Sequence, residues 1–343
     1  MEKTKVLVPS GVLGLGFDDN AFENGLKLSP DIISIDGGST DSGPFSLGTG
    51  TSKYSRSSIK SEWKRLMIGR AKLNIPLIIG SCGTCGTNNM VDWMEEITIE
   101  IANELNQKLK IAKLYCEISK KELKKKFKNK QIHQLDPPVR LNEDKIDKMA
   151  HIVALAGAEQ IQNAIKTDAD IILAGRTTDT AIISALPLMK GANLGSSWHG
   201  AKVAECGALC STDPTSGVVM IEFDKNGFIV FPTSKNAKCT PYTVSAHMLY
   251  ENSDPFKLYE PGGYMDVSKA TYKALDYKKV IVTGAKWFKD KNYFVKLEGA
   301  QISGYQTSSL ILIRDKKYVN NIEKWTSKLK KFLCKEINKR MSL

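Results

Sequence analysis

Short runs of β-branched and aliphatic residues alternate with amphipathic stretches from residue 4 onward, the texture of successive βα units around a parallel sheet. Strands are predicted over Lys5–Val8, Asp31–Asp36, Pro76–Gly80, Ile111–Cys116 and Asp170–Ala174. Helices are predicted near Asp18–Leu28, Ser57–Leu73, Val91–Leu109, Ser119–Lys128 and Glu143–Ile165. Pro137 and Pro138 cannot continue a helix and mark an extended loop ahead of the last of these. The spacing suits a doubly wound α/β core around a mainly parallel sheet, with helices on both faces.

Beyond Cys210 the pattern changes. Val218–Phe223, the turn Asp224-Lys-Asn-Gly227 and Phe228–Phe231 read as an antiparallel hairpin. A smaller α+β part is therefore expected over residues 213–343, after an α/β domain over residues 1–212. Further strands are predicted around Val280–Thr283, Phe294–Leu297 and Ser309–Ile313. The chain closes on an amphipathic, lysine-rich helix, Val319–Lys339, with Ile322, Trp325, Leu329, Phe332 and Leu333 on one stripe.

Three predicted strands run straight into glycine-rich polar loops. These are Asp36-Gly-Gly-Ser-Thr-Asp41-Ser-Gly43, Gly80-Ser-Cys-Gly-Thr-Cys-Gly86-Thr-Asn-Asn89 and Gly175-Arg-Thr-Thr-Asp179-Thr180. In a parallel sheet all three leave the carboxyl ends of the strands, where ligands of open α/β folds bind, so they are expected to meet in space. Glycine lets backbone N–H groups approach a ligand, and a helix N-terminus adds donors with partial positive charge. A small anionic ligand is expected, held by Gly37, Gly38, Ser39 and Thr40, by Ser81, Gly83 and Thr84, and by Arg176, Thr177 and Thr178. The Arg176 guanidinium suits a carboxylate or phosphate gripped by two parallel hydrogen bonds. His199, the one histidine close to these loops in sequence, joins the candidate set.

Asp36, Asp41 and Asp179 have the chemistry for general acid–base work or for a hard divalent cation. Asp41 and Asp179 equally suit helix N-caps, and Arg176 equally suits a pair with Asp179. In Trp198-His-Gly-Ala-Lys202 followed by Glu205-Cys206, Lys202 and Glu205 fall one turn apart. That spacing fits a surface ion pair beside a buried thiol, or a Cys206 activated by Lys202; Glu205 is a further acid–base candidate. Cys82-Gly-Thr-Cys85 has the C-x-x-C spacing, but zinc needs two more ligands and Cys206 with Cys210 make an imperfect second pair, so no metal ligands are assigned. No loop matches a named phosphate motif, and Gly11-Val-Leu-Gly14-Leu-Gly16 lacks the dinucleotide spacing, which disfavours nucleotide hydrolysis and NAD chemistry. The sequence requires no cofactor and leaves room for Mg²⁺.

The 343 residues are 42% apolar and 25% charged, which excludes collagen-like, disulfide-stapled and wholly disordered classes. A net charge of +12 invites nucleic acid or an anionic membrane, but residues 113–130 and 315–343 each carry +6 and the rest sums to zero. The first run reads as a solvated helix face opened by a Ser119/Glu122 capping box. With no accompanying nucleic-acid motif, neither nucleic acid nor a membrane is expected as a partner. Seven cysteines without a dense framework argue for free thiols in a reducing compartment. Val6–Phe17, broken by Pro9 and three glycines, reads as strand and turn rather than a signal peptide, and no apolar run approaches the roughly 18 residues of a membrane span. A cytoplasmic address is expected.

The runs Asp36-Gly-Gly-Ser-Thr-Asp-Ser-Gly-Pro44, Gly175-Arg-Thr-Thr-Asp179, Trp198-His-Gly-Ala-Lys-Val-Ala-Glu-Cys-Gly207, Glu260-Pro-Gly-Gly263 and Val295-Lys-Leu-Glu-Gly-Ala300 together resemble the acyclic terpene utilisation AtuA family. The resemblance extends from about residue 4 to Arg314. It implies a place in bacterial catabolism of branched acids and terpenoids such as citronellol and geraniol, degraded as CoA thioesters. It carries no residue-by-residue catalytic assignment. Typical members look longer, continuing past the equivalent of Lys339 into another small domain. A truncated or split form is therefore expected, with a partner chain supplying that domain in a homo- or hetero-oligomer.

Together these features predict an enzyme or catalytic subunit, of lyase/hydratase or isomerase type, acting on a small branched carboxylate or its CoA thioester. The loops and Arg176 would bind the anionic group while Asp36, Asp41 or Asp179 moves a proton beside the carboxyl or thioester. The rival expectation is a non-catalytic ligand-binding or assembly subunit whose terminal apolar stripe docks on another polypeptide.

Overall fold

The computed structural model describes residues 3–341 except Val139, Tyr250, Glu251, Ser253 and Tyr305, with the side chains of Asp41 and Met341 also outside the description. In chain order the first elements are β1 (Thr4–Val8), α1 (Asp19–Leu26), β2 (Ile32–Asp36), α2 (Phe45–Thr49), α3 (Arg56–Leu73), β3 (Leu77–Gly80), α4 (Asn88–Glu104) and β4 (Ile111–Leu114). Next come α5 (Lys120–Lys128), α6 (Glu143–Lys148), β5 (Met149–Ala154), α7 (Ala158–Ile165), β6 (Ile171–Ala174), α8 (Asp179–Met189) and α9 (Leu194–Ala204). Then follow β7 (Val219–Phe223), β8 (Gly227–Pro232), α10 (Pro241–His247), β9 (Lys257–Glu260), β10 (Gly263–Asp266), β11 (Thr271–Ala274), β12 (Val280–Thr283), β13 (Lys286–Lys289) and β14 (Leu297–Gln301). A separate unit, residues 303–343, holds α11 (Lys316–Val319) and α12 (Ile322–Met341).

The central sheet has the order β11-β12-β8-β7-β1-β2-β3-β6-β4. Strands β1, β2, β3, β6 and β4 run parallel, while β7, β8, β12 and β11 add antiparallel neighbours on the far side of β1. Alternate residues of the parallel strands face opposite layers. Ile33, Ile35, Leu77, Ile79, Ile171 and Leu173 pack with Trp63, Leu66, Met94 and Ile97 of α3 and α4. Val6, Val8, Ile32, Ile78 and Ile172 pack with Ile182 and Ile183 of α8 and Trp198 of α9. Both sets are apolar because both faces are covered, so these strands read as continuous hydrophobic runs. The expected α/β class with a mainly parallel sheet and a C-terminal helix is the observed one.

Local signals explain the element starts. Ser55 and Ser119 accept the N–H groups of Ser58 and Glu122 and open α3 and α5. Asp224 Oδ1 accepts from the N–H groups of Asn226 and Gly227 and closes the β7–β8 hairpin. That hairpin, expected to begin a second part at residue 213, pairs with β1 in the main sheet, and the compact unit runs on to Ile302.

The single helix expected over Glu143–Ile165 is wrong. The segment forms α6, then the strand β5, then α7, because β14 offers 149–154 an antiparallel partner and that pairing outweighs local helix preference. Residues 309–313, expected as a strand, have no regular structure and are mostly exposed; a strand without a hydrogen-bonding neighbour is not stable alone. The β5–β14 ribbon is tied to the main sheet through bridges of Val153 to Glu117 and Ala156 to Thr177. No helix among the described residues is long and apolar enough to cross a membrane.

Candidate functional site

β2, β3 and β6 are immediate neighbours in the sheet, so their carboxyl-end loops meet, as the spacing predicts. The contact is backbone to backbone. Gly37 N–H donates to the Gly80 carbonyl at 2.8 Å, Ser81 N–H to Gly175 at 2.9 Å and Arg176 N–H to Gly86 at 3.0 Å. A Cβ on Gly37 would stand 2.4 Å from the Ser81 carbonyl oxygen, and one on Gly86, at φ +64°, 2.2 Å from the Arg176 nitrogen. Glycine at these two positions permits the loops to interlock. These N–H groups therefore fasten the loops to one another.

Arg176 sits at the centre with its side chain 5% exposed. Its Nε donates to Glu298 Oε2 at 3.0 Å and its Nη2 to Oε1 at 3.3 Å. Nη1 donates to Ser81 Oγ at 2.9 Å, and Nη2 reaches Thr40 Oγ1 at 3.4 Å, whose hydroxyl donates to Glu298 Oε2 at 2.9 Å. Asp179 Oδ1 is 3.9 Å from Nη1. Burial opposes the guanidinium charge, but Glu298, Asp179 and Asp36 outweigh it and hold the pKa above its ordinary value. Burial likewise opposes the Glu298 charge, and Arg176 outweighs it and holds the carboxyl below its usual range.

Asp36 ends β2 beneath Arg176. Its Oδ2 accepts the Gly38 N–H at 2.8 Å, while its buried Oδ1 has no hydrogen-bond partner among the described residues. Burial and the nearby Asp179 charge push its pKa well up, against the pull of Arg176.

A second group of charges meets Asp179 from α9 and β9. Lys202 and Glu205 are in direct contact with side chains 17% and 6% exposed, so the pair expected at the surface is largely buried. Glu260 is bound by the hydroxyls of Thr178 and Thr180, and its Oε2 is buried without a partner among the described residues. Burial raises Glu205 to about 8, against Lys202 and with Asp179, and raises Glu260 to about 7. Arg176 and Lys202 thus face five carboxyls, Asp36, Asp179, Glu205, Glu260 and Glu298. With the half-exposed Lys296 at Glu298 the cations number three against these five carboxyls, of which Asp179 is a third exposed, so the cluster favours bound protons on its most buried members.

Asp179 is the first residue of α8, and the N-cap is Thr178 rather than Asp179. Its side chain is 32% exposed, the most accessible carboxylate of the Arg176 group. Thr177 and Ser81 are buried in the loop contacts, Ser39 and Thr40 are half-buried, and Thr84 packs against Gly38. Gly83 abuts Met90. The Asp41 side chain lies outside the described residues. His199 faces the antiparallel half of the sheet, where its Nε2 pairs with Tyr272 Oη at 3.0 Å and its ring lies edge-on to Phe228; burial lowers it to about 3. Cys82, Cys85 and Cys210 are buried free thiols and Cys206 is half-buried. No group of three or more His, Cys, Asp or Glu among the described residues is arranged to hold a metal ion.

Glu260 and Glu298 are the functional candidates that spacing alone misses. Glu298 lies 122 positions from Arg176 and Glu260 58 from Lys202, each in a run whose only signal is an acidic residue at or next to a glycine-containing turn or strand. Both runs, Glu260-Pro-Gly-Gly263 and Val295-Lys-Leu-Glu-Gly-Ala300, are among those carrying the family resemblance. No match is found among curated proteins or among solved structures. The family model described as acyclic terpene utilisation family protein AtuA matches residues 63–342, which includes all of the site except Asp36 and the loop after it, and the chain belongs to that family.

Proposed function

We propose that this chain is the catalytic unit of a terpene-utilisation pathway step that moves a proton on a small branched carboxylate or its CoA thioester, in a hydration, dehydration or isomerisation. Family membership supports a catabolic protein of terpene utilisation. The observation that carries the chemistry is the surplus of carboxyls over cations around Arg176 and Lys202, where burial pushes Asp36 well up, Glu205 to about 8 and Glu260 to about 7. Asp179, a third exposed, meets the substrate, with Asp36, on which its charge acts, as the proton reserve. Arg176 is held by Glu298, so it sets the charge of the carboxyls in this reading, and the substrate's anionic group meets the start of α8.

The test is deuterium uptake from D₂O into 3-methylbut-2-enoate and 3-methylbut-2-enoyl-CoA, read by mass spectrometry. Wild type should exchange the hydrogens conjugated to the carbonyl, and Asp36→Asn and Asp179→Asn should each slow exchange by about 10² or more. Equal rates in wild type and both variants, or none in wild type, refute it.

A second reading, a non-catalytic assembly subunit, draws on α12, where Ile322, Phe332 and Leu333 are 41%, 59% and 46% exposed along one stripe. It predicts a chain that binds the thioester and exchanges nothing until another polypeptide is added.

A further inference from the structure

We infer that His151 is a second proton-transfer group of the strand-end site and that Glu117 is its positioning residue. This rests on the proton-transfer reading above and extends it to two residues that none of the glycine loops contains.

His151 lies on β5 opposite Ala300 of β14, and Glu298 lies opposite Val153. Paired residues share a face of a ribbon, and so do residues two apart on a strand. His151 and Glu298 therefore face the same side, as diagonal neighbours on the order of 7–8 Å apart. Glu298 uses that face to hold Arg176, so the imidazole projects from the ribbon toward the same end of the sheet.

The ring is fixed rather than free. Its Nδ1 is 2.7 Å from Glu117 Oε1, and Glu117 Oε2 accepts the Asn88 N–H at 2.8 Å where α4 begins. A carboxylate anchored through both oxygens accepts the Nδ1 proton and leaves the lone pair on Nε2. The Nε2 edge lies against Gly50, where a Cβ would come within 2.8 Å of it. Gly50, at φ +62°, is held in place by Asn89, whose Nδ2 donates to the Gly50 carbonyl at 2.8 Å and whose Oδ1 accepts the Thr87 hydroxyl at 2.6 Å. Asn88, Asn89 and Thr87 close the loop after β3, the same loop whose Gly86 and Ser81 grip Arg176. The imidazole thus stands at the rim of the loop cluster, and its side chain is 26% exposed, whereas His199 and His247 are buried.

The charged groups around it are few. Glu117 faces Nδ1 and Glu298 shares the ribbon face, while α2 and the first turn of α4 contribute no charged residue. In the step we assign, neutral Nε2 takes a proton from a carbon conjugated to the carboxyl or thioester. The C–H electron pair passes into the carbonyl as an enolate, and the imidazolium returns the proton to carbon; nothing else is consumed.

Deuterium exchange into 3-methylbut-2-enoyl-CoA tests this on the full chain. His151→Gln should lower the rate by about 10² or more with the half-saturating concentration little changed. Glu117→Gln should lose less, in kcat and with the half-saturating concentration unchanged, and Glu117→Asp should recover part of that loss. A merely structural ion pair would leave kcat in place. Wild-type exchange that persists undiminished in His151→Gln overturns this inference alone. No exchange in wild type overturns the proton-transfer reading and this inference with it. Unchanged thermal melting of both variants is expected, because a pair this exposed adds under about 1 kcal/mol.

Discussion

Replacing Glu298 with Gln keeps the shape of the side chain and removes its charge, leaving Arg176 buried beside a neutral partner. The two groups approach to 3.0 Å with side chains 5% and 9% exposed. At an effective dielectric of about 20 their attraction is roughly 5 kcal/mol. Part of that returns, because Asp179 stands 3.9 Å from Nη1. Lys296, the other partner of Glu298, is half exposed and loses little. The net cost should be about 3 kcal/mol, at the lower edge of the range for breaking a buried pair.

Urea unfolding followed by tryptophan fluorescence measures this, with a midpoint about 1 M lower expected for Glu298→Gln. The control is Arg176→Met combined with Glu298→Leu, which removes both charges. It should cost less than the single change, since no buried cation is left without its counter-charge. A Glu298→Gln variant within about 0.5 kcal/mol of wild type, or a double variant worse than the single one, would refute the reasoning that Arg176 is held internally. A guanidinium free to take an outside anion would give the first of these results.

Stability should fall as pH rises from about 5 to 8. Burial raises Glu205 to about 8 and Glu260 to about 7, so the folded chain holds protons that the unfolded chain has already released near pH 4.3. Glu260→Gln, which keeps an acceptor for the Thr178 and Thr180 hydroxyls, should remove about 3 kcal/mol of that decline between urea midpoints at pH 5 and pH 8; an equal slope in both proteins counts against a buried proton there. In native protein the exposed Cys334 should react quickly with Ellman's reagent, while Cys82 and Cys116, whose thiols burial pushes up, Cys116 to about 12, should not. Loss of the fast phase in Cys334→Ser checks this, and rapid labelling of Cys82 would show an open loop.

The strands that build the site were legible because each is buried on both faces. Ile32–Asp36, Leu77–Gly80 and Ile171–Ala174 are nearly all apolar up to the loop, and the polar glycine-rich residues begin where the sheet ends. Parallel strands then send their loops to one edge, so Asp36, Ser81 and Arg176 meet without any long-range information. The ribbon was not legible for the opposite reason. Met149–Ala154 is extended only because Leu297–Gln301 pairs with it, and the amphipathic flanks on either side carry the period of a helix. A two-stranded element draws its stability from what it packs on, and a local pattern does not contain that.

The same distinction governs the chemistry. An arginine at the end of a strand, followed by a helix, has the local setting of an anion clamp. Whether it points outward is decided by a residue elsewhere in the chain, and here Glu298, 122 positions away, answers it from the ribbon. An almost fully buried guanidinium needs a counter-charge, so once Arg176 is known to be 4% exposed, a carboxylate partner follows from desolvation alone. The same reasoning sorts the aspartates. Asp36 is inside and keeps a raised pKa, whereas Asp179 is a third exposed and lies between Arg176 and Lys202 in the electrostatics of both. The site is therefore best described by which carboxyls the two cations can afford to leave ionised, and the loop glycines set that balance by bringing backbone close enough to shut water out.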